Sequence, residues 1–110
     1  MKLELTDEFE TFMRETFPCV VKAENAIYEA TGITLEQMRG KCREAAYANA
    51  RAIFYHLCFA KVGQNTYLTS YLNRDHSSGS YYNCKYRNNR NTDFLYLSML
   101  DKITKIFENK

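Results

Sequence analysis

The chain has 110 residues but only one proline (Pro18), four glycines and no tryptophan. Runs that alternate between apolar and polar residues, as strands do, are also few, so the pattern is helical throughout. No apolar run approaches the ~20 residues that a membrane-spanning helix needs. Residues 1–7 also lack the apolar segment of a signal peptide. These absences predict a cytoplasmic protein with no membrane partner.

Cysteines and histidines are too scattered to suggest a metal centre. None of the four cysteines forms a C-x-x-C pair, and only two histidines are available to join them. No glycine-rich Lys-Ser/Thr loop is present, which excludes a nucleotide-hydrolysing module of that type. We therefore expect no metal and no cofactor. We expect the cysteines to be buried thiols in a reducing compartment: Cys19, Cys42, Cys58 and Cys84.

Charge is distributed unevenly along the chain. Residues 1–40 carry eight acids and four bases, a net charge of −4, whereas residues 41–110 carry eleven bases and five acids, a net charge of +6. A basic half is typical of proteins that bind a polyanion, although a solvated surface with uneven charge gives the same count.

Apolar spacing predicts an all-α, multi-helix bundle with an embedded helix-turn-helix, in a single domain over residues 1–110. Thr34 and Gln37 have the spacing of a capping box, which predicts a short helix ending near Gly40. An additional N-terminal helix is predicted at about 6–17. The other predicted helices cover about 19–30, 43–61, 66–72, 76–88 and 92–107.

Between the helices at 66–72 and 76–88 lies the run Asn73-Arg74-Asp75-His76-Ser77-Ser78. It places a cation, a carboxylate, an imidazole and hydroxyls at the start of the second helix. Helix-turn-helix proteins present their base-reading side chains to the major groove from that position. An Asp-His-Ser catalytic relay is excluded because adjacent residues cannot converge as triad members do. We expect no enzymatic activity.

These features resemble, in order, the C-terminal DNA-binding domain of the bacterial replication initiator DnaA. Residues 31–38 (Thr-Gly-Ile-Thr-Leu-Glu-Gln-Met) are similar to the family's entry into its short helix, and residues 74–78 (Arg-Asp-His-Ser-Ser) to its Arg-Asp-His-(Ser/Thr)-Thr signature. The resemblance covers about residues 20–107. It implies a Trp-repressor-like fold in a stand-alone double-stranded DNA-binding protein of bacterial or phage origin. It also implies that this protein modulates replication or transcription.

The resemblance also implies particular DNA contacts. Arg51 would insert into the minor groove, or it is an ordinary surface arginine of a long helix. Asp75, as well as capping its helix, would join His76 and Ser77 at base edges in the major groove. The candidate phosphate contacts, each of which is otherwise a solvated surface group or, for Tyr81, part of a protein interface, are Lys41, Arg43, Lys61, Arg74, Ser78, Tyr81 and Lys85.

Some positions depart from the family pattern. Leu72-Asn73 stand where the family has two glycines. Gly79 removes a side chain expected in the core, and we expect Tyr82 and Tyr86 to fill that space. Ala45 and Asn49 replace family arginines.

The lost arginines favour an alternative: a domain that kept the fold but binds protein instead of DNA. The acidic, phenylalanine-rich helix at 6–17 lies outside the resemblance. Its apolar side chains either cover the core or dock a partner or a second copy of the chain. These side chains are Phe9, Phe12, Met13 and Phe17.

Overall fold

The structure is a computed structural model that describes residues 5–40, 44–74, 78–79, 82 and 94–109. Of these residues, 84% are helical and none lies in a strand, which confirms the all-α prediction. The helices are α1 (Asp7–Thr16), α2 (Pro18–Thr31), α3 (Leu35–Arg39), α4 (Ala45–Val62), α5 (Asn65–Tyr71) and α6 (Phe94–Glu108). Ser78, Gly79 and Tyr82 are also helical.

The first two helices begin and end where local chemistry dictates. The Thr6 hydroxyl accepts a hydrogen bond from the Phe9 amide at 3.1 Å, and acidic residues fill the first turn of α1, where the helix dipole favours negative charge. Pro18 cannot continue α1, but it suits the first position of α2. Gly32 ends α2 with φ +78°, a left-handed conformation that glycine adopts freely.

The predicted capping box opens α3. The Gln37 amide donates to the Thr34 hydroxyl at 3.2 Å, and the Thr34 amide donates to Gln37 Oε1 at 2.8 Å. This short helix ends at Arg39, before Gly40, as predicted. Gly63 ends α4 in the left-handed conformation with φ +71°.

Helices α2 and α4 form the centre of the molecule. α2 packs against α1, α4 and α6, and α4 packs in addition against α3 and α5. Residues 49–55 of α4 are all buried, so the middle of this helix is enclosed on every side rather than along one stripe. The core includes Ile27, Phe54, Leu68 and Ile103, none of which is exposed. None of the described helices is long and apolar enough to cross a membrane.

The cysteine prediction is right for one residue and wrong for another. Cys58, in α4, is buried as expected. Cys19, in the first turn of α2, is partly exposed because it borders a surface cavity. Cys42 and Cys84 lie outside the described residues.

Candidate nucleic-acid interface

Helix α5 ends in a sharp turn at Asn73. The Asn73 amide donates to the Ser70 carbonyl at 2.9 Å, and the Arg74 amide reaches back to the Thr69 carbonyl at 2.7 Å. Asn73 has φ +57°, a left-handed conformation that asparagine tolerates better than most residues. The two bonds and the left-handed residue make a Schellman motif, so the chain changes direction immediately after α5. Asn73 thus meets the conformational requirement that a glycine would meet there.

The helical residues beyond this turn pack closely on α4 and α5. A Cβ atom added to Gly79 would overlap the Asn65 side-chain oxygen and lie 2.9 Å from the Tyr55 hydroxyl. Those two groups are themselves joined, since the Tyr55 hydroxyl donates to Asn65 Oδ1 at 2.8 Å. Tyr82 is buried, with its ring centroid 5.6 Å from that of Tyr55. The Gly79 backbone therefore lies so close to Tyr55 and Asn65 that a side chain at this position has no room.

The expectation that Gly79 leaves a space in the core is corrected by this geometry. The missing side chain is matched by direct contact between the glycine backbone and the Tyr55–Asn65 pair. Tyr82 packs on Tyr55 beside that contact and fills no hole at Gly79. Tyr86 lies outside the described residues.

Two arginines converge on the C-terminal end of α3. Arg51 Nε donates to the Met38 carbonyl at 2.6 Å, and Arg51 Nη2 donates to the Gly40 carbonyl at 3.0 Å. Arg74 donates to the Arg39 carbonyl at 3.1 Å and to the same Gly40 carbonyl. The last carbonyls of a helix have no partner within it and carry partial negative charge, so the two guanidinium groups both bond and neutralise them. We call these two side chains the arginine cluster.

The minor-groove role predicted for Arg51 does not fit this position. Arg51 is only 6% exposed, and its guanidinium group is bonded to backbone carbonyls in the interior. The alternative, a surface arginine, is wrong for the same reason. Arg51 instead fixes the end of α3 against α4, which is a positioning role.

The structure brings together few of the other predicted contacts. Arg74 is partly exposed beside Arg51, and Ser78 is half-buried in a helical segment. Lys61 is exposed near the end of α4. Phosphate binding by these three residues remains a prediction. The remaining predicted contacts lie outside the described residues: Lys41, Arg43, Asp75, His76, Ser77, Tyr81 and Lys85.

Sequence reasoning missed Arg39, which links α3 to the end of α5. Arg39 Nε donates to the Tyr71 carbonyl at 2.7 Å, and its guanidinium carbon lies 4.7 Å from the centre of the Tyr71 ring. Arg39 also forms an ion pair with Glu10 of α1 at 2.7 Å. The Tyr71 hydroxyl in turn donates to Glu24 of α2 at 2.8 Å. These partners are 29 to 47 residues apart in sequence, so no local pattern reveals them.

Burial controls the acid–base behaviour of the Tyr71–Glu24 pair. Removal of the Glu24 carboxyl from water raises its pKa above the ordinary value of 4.5, although the Tyr71 hydrogen bond and the Arg14 charge favour the ionised form. Burial also raises the pKa of Tyr71, and the adjacent Glu24 charge adds to this effect. Tyr71 therefore remains a neutral donor, which suits a structural connection between α2 and α5.

The predicted protein-docking side chains of α1 have different environments. Met13 is fully buried, so it belongs to the core and cannot dock a partner. Phe9 and Phe17 are half-buried, and Phe12 is 41% exposed. The three phenylalanines surround Tyr67 of α5, with ring centroids 5.8 to 6.3 Å from the tyrosine ring. α1 thus covers the outside of α5 with aromatic rings.

Within the described ranges, no group of three or more histidine, cysteine or acidic residues is placed to hold a metal ion. Comparisons of the chain with protein-family models, with curated proteins and with solved structures found no match.

Proposed function

We propose that the chain is a stand-alone, cytoplasmic protein that binds double-stranded DNA through a helix-turn-helix. In this proposal α5 is the supporting helix, and the helix that begins at His76 enters the major groove. The observation that carries the proposal is the Asn73 turn, which ends α5 directly before the Arg74-Asp75-His76 run. A tight turn between two short packed helices is the geometry that such proteins use.

The arginine cluster supports this reading through positioning. Arg74 is the last described residue before the predicted base-reading side chains, and its guanidinium group is bonded to carbonyls at the end of α3. A fixed Arg74 gives the following residues a defined starting point, and preorganisation of that kind lowers the entropy cost of binding. Arg51 holds the same carbonyls, so we propose that it serves DNA binding indirectly.

The packing around Gly79 gives a second line of support. The glycine lets the helical segment approach α4 and α5 closely, and Tyr82 adds ring packing on Tyr55. A base-reading helix must be held rigidly by the helices behind it, because a shift of about 1 Å breaks base-edge hydrogen bonds. The excess of six positive charges over residues 41–110 would supply sequence-independent affinity for phosphates.

Fluorescence anisotropy with labelled duplexes tests the proposal. One duplex carries an initiator-type box and the other a scrambled sequence, each at low and moderate salt. We expect the wild type to prefer the box and His76→Ala to lose about tenfold in affinity for the box alone, as one base contact predicts. Lys102→Ala is the charge control, since Lys102 is an exposed residue of α6 outside the predicted contacts.

The salt series separates the possible outcomes. The logarithm of affinity should fall with the logarithm of salt concentration, with a slope of about −0.9 per phosphate contact. Equal, salt-sensitive binding to both duplexes would contradict base reading by His76 but keep DNA as the ligand. No binding at low salt would overturn the proposal.

A protein-binding domain is the second candidate, and the exposure of Phe12 is the observation that favours it. Phe12 lies in the aromatic group around Tyr67 and also borders a surface depression with the acidic residues Asp7, Glu8 and Glu15. Aromatic side chains flanked by charge are common in protein interfaces. Sedimentation velocity of wild type and Phe12→Ala tests self-association: a dimer lost in the variant would support this candidate.

A further inference from the structure

A cavity at the start of α2 is lined by one cysteine and two lysines. Its volume is about 500 Å³, within the range of small-molecule sites. The lining comes from α1, α2, α4 and α6, and includes Phe17, Pro18, Cys19, Lys22, Lys61 and Phe107. Lys22 Nζ lies 4.9 Å from the centre of the Phe107 ring, a cation–π distance. No acidic side chain of the described residues lines this cavity, so its charge is positive.

The two thiols come from different helices and differ in access. Cys19 belongs to the first turn of α2 and is partly open to the cavity, whereas Cys58 lies in α4 and is buried behind it. Cys58 Sγ is 3.6 Å from the Cys19 carbonyl oxygen, so the Cys58 thiol lies next to Cys19. The Cys19 sulfur is therefore accessible to a dissolved reagent, while the Cys58 sulfur is buried nearby.

Electrostatics make the two sulfurs differ in how readily they ionise. The hydrogen bond from Cys58 lowers the pKa of Cys19 to about 7, with help from a backbone amide at the helix start and from Lys61, against the effect of burial. The same contact and burial raise the pKa of Cys58. At neutral pH the accessible sulfur is thus the nucleophile, and the buried sulfur keeps its proton.

We propose that Cys19 and Cys58 form a thiol–disulfide exchange site for small anionic disulfides of the glutathione class. Cys19 is the attacking sulfur and Cys58 the resolving sulfur. The preference for an anionic reagent follows from Lys22 and Lys61, which line the cavity together with Cys19, whereas no described acidic residue lines it. The site is independent of DNA binding.

The thiol–disulfide exchange proceeds in two steps. The Cys19 thiolate attacks one sulfur of the oxidised reagent, so that a Cys19–glutathione disulfide forms and one glutathione thiolate leaves. Cys58 sulfur then attacks Cys19 sulfur; the Cys19–Cys58 disulfide forms, and the second glutathione leaves with the Cys58 proton. The protein loses two electrons, and the reagent gains them as two reduced glutathione molecules.

Peptide mapping of the intact protein tests the pairing. Reduced wild type is treated with oxidised glutathione, quenched in acid, alkylated and digested with trypsin. Cys19 lies in the tryptic peptide 15–22 and Cys58 in 52–61, while Cys42 and Cys84 fall in other peptides. We expect a disulfide-linked pair of peptides 15–22 and 52–61 in the wild type. In Cys58→Ser we expect glutathione to accumulate on peptide 15–22 instead.

Reaction rates test two electrostatic claims of the proposal: the lowered pKa of Cys19 and the preference for an anionic disulfide. At pH 7, Cys19 in the folded protein should react about fourfold faster than the same cysteine in a synthetic 15–22 peptide, because its larger thiolate fraction outweighs its lower nucleophilicity. Oxidised glutathione should react faster than the cationic disulfide cystamine. Lys61→Gln should reduce that preference, and Lys102→Gln on α6 should leave it unchanged.

Three results would overturn the proposal. The first is a wild type that accumulates glutathione on peptide 15–22 without forming the linked pair, which would exclude Cys58 as the resolving sulfur. The second is a Cys19 rate no higher than that of the synthetic peptide. The third is an equal rate with the anionic and cationic disulfides. Far-UV circular dichroism of Cys58→Ser and Lys61→Gln establishes that each variant is folded, so that a negative result counts.

Discussion

Two helix ends in this protein hold charged groups of opposite sign, and they differ in access. At the C-terminal end of α3, Arg51 and Arg74 donate to backbone carbonyls. At the N-terminal end of α2, the Cys19 sulfur lies beside Lys61 in an open cavity. Both ends follow the helix dipole, which favours cations at the C-terminus and anions at the N-terminus.

The two groups differ in solvent access, and this difference decides whether each one stabilises the fold or can react with a reagent. Arg51 is buried and its donors are bonded to carbonyls, so its charge is used inside the fold. Cys19 is partly exposed, and the groups around it stabilise its ionised form. A charge at a helix end is thus a structural tie when enclosed and a reactive group when a cavity reaches it. Arg51→Ala and Cys19→Ser test this contrast directly, and Gly79→Ala and Asn73→Ala test the packing and the turn around the arginine cluster.

Arg51→Ala should produce the largest effect. The change leaves the Met38 and Gly40 carbonyls with fewer donors and empties a buried site, so we expect a loss of about 3 kcal/mol in the free energy of unfolding. Urea denaturation measures it. Arg51→Lys should recover only part of the loss, because an ammonium group cannot bond two carbonyls as a planar guanidinium does. A variant within 0.5 kcal/mol of wild type that nevertheless loses DNA affinity would place Arg51 at the surface after all.

Gly79→Ala should have the next largest effect on the free energy of unfolding. Its sign should be opposite to that of the same change in an ordinary helix. In an unconstrained helix this change stabilises by about 1 kcal/mol. Here the added methyl group would overlap the Asn65 side chain and press on the Tyr55 hydroxyl, so we expect a net loss of about 2 kcal/mol.

A double-mutant cycle with Asn65→Ala provides the control for the Gly79 prediction. Removal of the Asn65 side chain should shrink the Gly79→Ala penalty, while the Tyr55 hydroxyl at 2.9 Å keeps part of it. A stabilised Gly79→Ala single variant would mean that the helical segment lies farther from α5.

The sequence predicts a structural feature well when the residues that cause it lie close together in the chain. Thr34 and Gln37 are three residues apart, and the helix they cap was predicted with its end at Gly40. Gly32 and Gly63 end their helices through their own backbone freedom. Tertiary packing had little influence on these boundaries, so local chemistry was enough.

The arginine cluster could not be predicted in the same way, because its partners lie 11 to 36 residues apart. One signal was available. α4 contains two charged residues in eighteen positions, Arg51 and Lys61, so it lacks a polar face. A helix without a polar face is buried on all sides, and a cation in its middle must then find internal acceptors. Our prediction placed Arg51 outside because it relied on the resemblance and treated the long helix as a surface helix.

Asn73→Ala should have a moderate effect. Alanine in the left-handed conformation is strained by about 1 kcal/mol, so the variant should lose about that much stability, while Asn73→Gly should be neutral or slightly stabilising. Thermal unfolding compares the two variants. Equal stability of all three proteins would show that the chain does not turn sharply at this residue, which would also remove the main support for a helix-turn-helix.

Cys19→Ser should have the smallest effect, visible as pH dependence. The pKa of Cys19 falls from 9.0 to about 7 on folding, so ionisation of the thiol favours the folded state. This contribution is fully present only above pH 9 and is lost as the pH falls through 7. The stability gap between wild type and Cys19→Ser should therefore widen between pH 6 and pH 8.5, by less than about 1 kcal/mol because Cys19 is partly exposed. Urea midpoints at the two pH values measure the gap. A constant gap would mean that the α2 start does not stabilise a thiolate, and the two helix ends would then differ in chemistry as well as in access.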